Sequence, residues 1–338
     1  MRFRTAVVIG KFYPPHRGHH FLINRALQEV AEVTVIVCGK PTDTIPGELR
    51  GEWLRQVHPI ARVMVIDDRY DEDDSRVWAE NTVRWLGQPP DAVFTSEDYG
   101  DAYARHMGSV HVLVDKARTT VPCSATMIRT DPYTNWEFLS LPVRGWFAKR
   151  VCVIGAESTG TTTLASDLAE TLGTSWVPEY GREYSALKQQ RDDMAWHSDE
   201  FVAIANEQTR QEDEAASVAN RVLVCDTNAF ATCIWHRRYL GHDEPRVRAI
   251  ADAGKCDLYL LTGDEIPFVQ DGLRDGEAIR HTMHRWFVDA LAAQPVPWVL
   301  IRGSREHRLV QAIDVVEGLF AASVWKSPHR LRSRSDAC

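Results

Sequence analysis

A chain of 338 residues, 44% hydrophobic and 25% charged, is long enough for two separately cored domains and too apolar to be disordered over most of its length. A formal net charge of −8 argues against a general nucleic-acid binder, so no nucleic-acid partner is expected, although a small-molecule phosphate site can still be locally basic. No apolar run reaches bilayer-spanning length and no signal-peptide segment opens the chain, which makes a cytoplasmic protein without a membrane partner the default.

The first predicted element is FRTAVVIG (3–10), rich in β-branched residues and ending in Gly10, which reads as a buried strand. The helical pattern HHFLINRALQEVA follows a turn stiffened by Pro14 and Pro15. His16 and His19 therefore stand at the entrance of a helix, one turn apart on one side, where amide groups and the positive dipole end attract a polyphosphate. Gly10 lets backbone approach a ligand closely, and Lys11 adds positive charge beside it. A strand, a turn and two surface histidines would explain one histidine as well, but not the whole string. Further strand-like runs, VTVIVC, RVMVID, DAVFT and VHVLVD, alternate with helical or loop segments, the pattern of a parallel sheet flanked by helices. Trp78 and Trp85, seven apart on one helical face, are either ligand contacts or core. Ser96 to Gly100 follows a strand at the sheet edge where nucleotides bind. SATMIR (124–129) places Ser124 and Thr126 at another helix start, where hydroxyls are also ordinary caps.

After DPYTNWEFLSLPVRGWFAKR the alternation restarts with VCVIG, so a boundary is expected near 144–149, with domains at 1–143 and 150–322 and a loose basic tail at 323–338. GAESTGTT (155–162) lies between a strand and a helix, the setting of a phosphate-binding P-loop. Gly155, Glu157, Ser158, Gly160 and Thr162 suit that loop, with the Thr162 hydroxyl placed for Mg2+, but Thr161 stands where the pattern GxxxxGK[ST] requires lysine. The amides can hold phosphates without it; the cation that reaches the β- and γ-phosphates is missing. RVLVCD ends in Asp226, placed to stand near Mg2+ or simply to cap a turn. PEYGREY offers Glu179, Arg182 and Glu183, and QDGLR offers Arg274. The remaining strands are RVLVCD, DLYLLTG and PVPWVLIRG. The seven cysteines show no CxxC pair and read as reduced thiols without a zinc site.

Gly10, Phe12, Pro14, His16, Gly18 and His19 match the GxFxPxHxGH string of the nucleotidylyltransferase superfamily, and Ser124, Thr126 and Arg129 match its SxTxxR element. With WFAKRV, GAESTG, PEYGREY, CDTNAFAT and DGLR in order, nearly the whole chain resembles the bifunctional NadR-type proteins, in which an adenylyltransferase making NAD from nicotinamide mononucleotide precedes a ribosylnicotinamide kinase. The resemblance implies an α/β protein, a Rossmann-like nucleotidylyltransferase domain followed by a P-loop NTPase-like domain. It implies ATP and Mg2+ as cofactors, and nicotinamide mononucleotide and nicotinamide riboside as substrates. His16, His19, Lys11 and Arg129 become the expected catalytic residues, and Phe12, Gly18, Ser124, Thr126 and Trp78 join the binding residues. Enteric members carry a further N-terminal helix-turn-helix domain; here a strand begins within a few residues of Met1, so regulation through that domain is not expected. Asn228, where the kinase pattern tends to have a second aspartate, is a departure beside Thr161, and Arg182, Arg274 or Arg280 could supply the absent charge. Two alternatives stay open: a second domain that only senses nucleotides, and a first domain acting on another phosphorylated acceptor. Related adenylyltransferases can assemble, so a homo-oligomer is open as well.

Overall fold

A computed structural model describes residues 1–71, 74–190, 195–270 and 276–321; Arg274 and the basic segment 323–338 lie outside the described residues. The chain divides between Val143 and Arg144 into two compact units. The first contains β1 (Phe3–Gly10), α1 (Arg17–Glu29), β2 (Val30–Gly39), α2 (Gly47–Val57), β3 (Arg62–Asp67), α3 (Ser75–Leu86), β4 (Ala92–Thr95), α4 (Gly100–Met107), β5 (Val110–Leu113) and α5 (Ala125–Thr130), and α6 (Leu141–Phe147) carries the division. Its strands form one parallel sheet in the order β3-β2-β1-β4-β5.

The central strand explains the layering. Successive side chains of β1 point to opposite faces, so Ala6 and Val8 pack with Leu22, Ile23 and Ala26 of α1, while Val7 and Ile9 pack with Ala79 of α3 and Tyr103 and Ala104 of α4. A strand covered on both faces has no polar side, which is why AVVI reads as a continuous apolar run. Asp74 starts α3 by accepting hydrogen bonds from the Arg76 and Val77 amides. The strand order turns back on either side of β1, which opens a crevice at the C-terminal ends of β1 and β4.

The second unit contains β6 (Lys149–Ile154), α7 (Thr161–Leu172), β7 (Trp176–Val177), α8 (Tyr180–Gln190), α9 (Ser198–Val218), β8 (Val222–Asp226), α10 (Ala229–Leu240), α11 (Pro245–Ala253), β9 (Leu258–Thr262), α12 (Arg280–Ala292), β10 (Trp298–Ile301) and α13 (Arg305–Ala321). Its sheet is also parallel, in the order β10-β9-β6-β8-β7. Val151 and Val153 of β6 meet Leu164, Ala165 and Leu168 of α7 and Ala312 and Val316 of α13. The two-residue edge strand β7 is the one strand of this sheet not expected from the sequence, being too short to show a period. Among the described residues no helix is long and apolar enough to cross a membrane. Cys38, Cys123, Cys152, Cys225, Cys233 and Cys256 are free thiols.

Phe94 of β4 is fully buried and meets Phe3 edge-on at 6.4 Å. Phe94→Ala is expected to destabilise the first unit by roughly 3–5 kcal/mol, read by urea unfolding, because it leaves a cavity beside the central strand.

Candidate active sites

In the first unit the turn after β1 brings its functional groups together at the crevice. His16 is the N-cap of α1: its Nδ1 accepts the Gly18 amide hydrogen at 3.1 Å, and the Cys123 thiol lies 3.3 Å from the same nitrogen. That bond fixes the neutral tautomer, with the proton on Nε2. A Cβ on Gly18 would lie 3.0 Å from the His16 ring, so the close approach explains the glycine. His19 stacks on His16 at 3.7 Å between ring centroids and takes the edge of Phe12 at 4.9 Å. Burial, then the charges of Arg118 and Arg129, lowers the His16 pKa to about 4. Burial and its histidine neighbours hold His19 well below its ordinary value. The alternative reading of the string makes His19 a surface histidine. Instead it lies partly buried in the first turn of α1, with its Nδ1 buried and lacking a hydrogen-bond partner among the described residues, because the ring packs between His16 and Phe12.

The second string arrives through α5. Ser124 caps this helix by accepting the Met127 amide at 3.1 Å. Arg129 donates to the Tyr13 carbonyl at 2.7 Å and to the Thr126 hydroxyl oxygen at 3.1 Å, so it ties the SATMIR helix to the histidine turn across 116 residues of sequence. Two cavities flank His19. Gly10, Lys11, Phe12, Trp78 and Arg129 line one; His16, Gly18, Ser124, Thr126 and Arg118 line the other, and Ser96 and Glu97 border both. Trp78 is placed between cavity and core. It faces the cavity, yet it also packs edge-on against Trp85 at 6.3 Å and donates its indole hydrogen to the Asp71 carbonyl at 2.8 Å.

Sequence reasoning missed Arg50. Its side chain is fully buried and donates to the carbonyl oxygens of Lys11 and Cys38, the latter at 3.1 Å, and to the Asp43 carboxylate at 2.5 Å. Its guanidinium also lies 5.0 Å from the Tyr13 ring, so it holds the turn from behind. The only sequence signal would have been an arginine within the helical pattern of α2.

In the second unit the loop between β6 and α7 has phosphate-nest geometry. A Cβ on Gly155 would fall 2.2 Å from the Thr262 hydroxyl, and Gly160 takes a left-handed φ of 85° as the cap of α7. Two buried arginines sit behind the loop. Arg280 donates to the Ser158 carbonyl at 3.1 Å and to the Ile266 carbonyl at 2.7 Å; Arg308, which sequence reasoning also missed, donates to the Thr159 carbonyl at 2.6 Å. Arg280, one of three arginines considered as the absent charge, is thus placed behind the loop rather than over it.

Thr162 donates to Asp226 Oδ2 at 2.6 Å, while Oδ1 is buried without a hydrogen-bond partner among the described residues. Burial pushes the Asp226 carboxyl up to about 6, against the pull of the Thr162 and Thr161 hydroxyls and the charge of Arg182. A hydroxyl and a half-satisfied carboxylate are the hard oxygen donors that fit Mg2+ shared with phosphates and water. Among the described residues no group of three or more His, Cys, Asp or Glu could hold a metal alone. Asn228 has a fold role: it caps α10, accepting the Ala231 amide at 3.3 Å and donating to the Tyr259 hydroxyl at 3.2 Å. Glu157 accepts from Arg238 at 2.7 Å and from the Gly276 amide at 2.7 Å, and Ser158 Oγ accepts the Val269 amide at 2.8 Å. Thr161, Glu179 and Arg182 line the cavity above the loop. Its far side is aromatic, with Trp196 lying 5.0 Å from Phe201 and 5.2 Å from Tyr239. Nothing in the sequence periodicity set these aromatics apart from core.

Residues 7–131 match the cytidylyltransferase-like family and residues 150–308 match an AAA domain family. The chain is 30% identical over 339 residues to the trifunctional NAD biosynthesis/regulator protein NadR of Escherichia coli (strain K12), an alignment covering 92% of this chain and 82% of the relative. It is also 30% identical over 340 residues to the protein of that name from Salmonella typhimurium, with the same coverage, 92% and 82%. Two crystal structures of NadR proteins share the fold at 22% identity, covering 96% of this chain and 98% of theirs. The one in complex with NR has a TM-score of 0.80 and the one with NAD and AMP-PNP 0.75.

His16, His20 and His58 are buried and have pKa values lowered to about 4, 3 and 4. In the unfolded chain they protonate near 6.5, so the stability they contribute is full above about pH 6.5 and is lost as pH falls toward about 4, at roughly 1.4 kcal/mol per pH unit per histidine. Urea unfolding of the first unit should show this slope, and it should lessen in a His20→Gln, His58→Gln variant.

Proposed function

The chain belongs to the NadR family, and from that premise we propose that its first unit transfers the adenylyl group of ATP to nicotinamide mononucleotide, giving NAD and pyrophosphate, while its second unit binds ATP and nicotinamide riboside as a ribosylnicotinamide kinase does. The observation that carries the first half is Arg129 joined to the histidine turn, which sets two helix starts, those of α1 and α5, at one crevice; helix starts are where phosphates bind readily. A 5′-phosphate oxygen of the mononucleotide attacks the α-phosphorus of ATP as the bond to the α,β-bridging oxygen breaks. The attacking oxygen is already ionised at neutral pH, so no general base is needed, and catalysis rests on bringing two anions together and stabilising the charge that develops. His16 and His19 act here as neutral hydrogen-bond donors, with Lys11, Arg118 and Arg129 supplying positive charge. Magnesium arriving with ATP supplies further charge neutralisation; in the second unit Thr162 and Asp226 would hold it.

The aromatic side of the second cavity supports the pyridine substrate. A nicotinamide riboside carries a cationic pyridinium, which is attracted to ring faces such as those of Trp196, Trp235 and Tyr239. A related NadR protein has been crystallised with NR. Thr161 favours a second reading, in which this unit binds nucleotide without transferring phosphate.

A product assay separates these readings. With Mg-ATP the purified chain is expected to convert the mononucleotide to NAD, and His19→Ala to lower that turnover by about 10²–10³-fold. Nicotinamide mononucleotide or NAD formed from the riboside would establish the kinase; NAD formed from the mononucleotide but not from the riboside would favour the nucleotide-sensing reading. No product from either substrate would overturn the assignment.

A further inference from the structure

We propose that Arg182 takes the place of the missing P-loop lysine, bringing its guanidinium to the terminal phosphate of ATP from α8 rather than from the loop itself. The proposal rests on the kinase reading of the second unit. Arg182, Arg238, Arg280 and Arg308 stand near this loop, and what separates them is whether the side chain lines the cavity above it. Arg280 and Arg308 are buried behind the loop, donating to the Ser158 and Thr159 carbonyls. Arg238 is held by Glu157 and lies 4.7 Å from the Tyr239 ring. Among the described residues, Arg182 is the one cationic side chain that lines the cavity, in company with Gly160, Thr161 and Thr162.

Its placement is built in. The Tyr180 amide at the start of α8 donates to Gln208 Oε1 at 2.9 Å, and Gln208 is buried on α9, so the first turn of α8 is pinned against a long helix. Arg182 sits in that turn, exposed, and lines the same cavity as Thr162, whose hydroxyl is bonded to Asp226. An arginine can bridge two phosphate oxygens with its planar fork, which a lysine cannot do. In the step itself the 5′-oxygen of the riboside bonds to the γ-phosphorus, and the bond from that phosphorus to the β,γ-bridging oxygen breaks. ADP leaves, and the hydroxyl proton passes to Glu179, a carboxylate lining the same cavity. Arg182 stabilises the charge spread over the transferring group.

The test is phosphorylation of nicotinamide riboside by the full chain with Mg-ATP, using Arg182→Gln, Arg182→Lys and Arg182→Gln with Thr161→Lys. Arg182→Gln is expected to lower kcat by about 10²–10³-fold, with little change in the riboside KM or the thermal unfolding midpoint. Arg182→Lys should retain part of the activity, and Thr161→Lys should restore at least about tenfold to the Arg182→Gln chain by returning a charge to the loop. Wild-type turnover in Arg182→Gln would overturn the assignment and leave the kinase reading intact. A wild-type chain that forms neither mononucleotide nor NAD from the riboside would remove the kinase reading instead. The assignment is then decided by calorimetric titration: Arg182→Gln should weaken AMP-PNP binding at the second unit by about tenfold and leave ADP binding unchanged. Unchanged AMP-PNP affinity would overturn it.

Discussion

Both candidate sites depend on buried guanidinium groups that take up carbonyl oxygens of the turn between a central strand and its helix. A turn that presents its amides to an anion must turn its carbonyls the other way, and those carbonyls need donors. Arg50 does this for Lys11 and Cys38 in the first unit; Arg280 and Arg308 do it for Ser158 and Thr159 in the second. An arginine brings several donors in a rigid fork, so one side chain can serve carbonyls from separate segments. Burying the charge is costly unless it is met by such acceptors and by a carboxylate, and Asp43 and Glu265 provide these for Arg50 and Arg308.

The two sheets put those turns in equivalent places. Each turn leaves the C-terminal end of a central strand that is buried on both faces, and each opens a helix. The chemistry differs because the groups at the mouth differ. Stacked neutral imidazoles and the Arg129 helix meet at one, and a threonine-rich loop with Asp226 meets at the other. That loop keeps its geometry with Thr161 in the lysine position, Gly160 holding a left-handed φ of 85° at the start of α7.

Much of this was legible in the sequence because it is local. FRTAVVIG and RVMVID coincide with β1 and β3, since β-branched runs bounded by turn residues leave little choice, and the two histidines and Gly155 to Thr162 fell at helix starts as their spacing required. What could not be read is what depends on distant partners. The Arg308 bond to Thr159 spans 149 residues and the Arg50 bond to Lys11 spans 39, and neither arginine departs from an ordinary helical pattern. Asn228 looked like an altered catalytic position, and its work as a cap bonded to Tyr259 emerges only in three dimensions. The partial burial of His19 was likewise invisible, because the neighbours that cover it come from both sides of the turn.

The capping bond of His16 also governs which ligands the crevice rejects. Imidazole is a common ligand of transition metals, and a metal needs a lone pair on the ring, although among the described residues no group of three or more His, Cys, Asp or Glu could hold a metal. The Nδ1 lone pair of His16 is occupied by the Gly18 amide, and Nε2 carries the proton. Chelation through this ring therefore first removes the cap of α1, a loss of about 1 kcal/mol in addition to the tautomer change. The bond that starts the helix thus also sets which ring nitrogen carries the proton, and so leaves Nε2–H as the donor that His16 can offer a ligand.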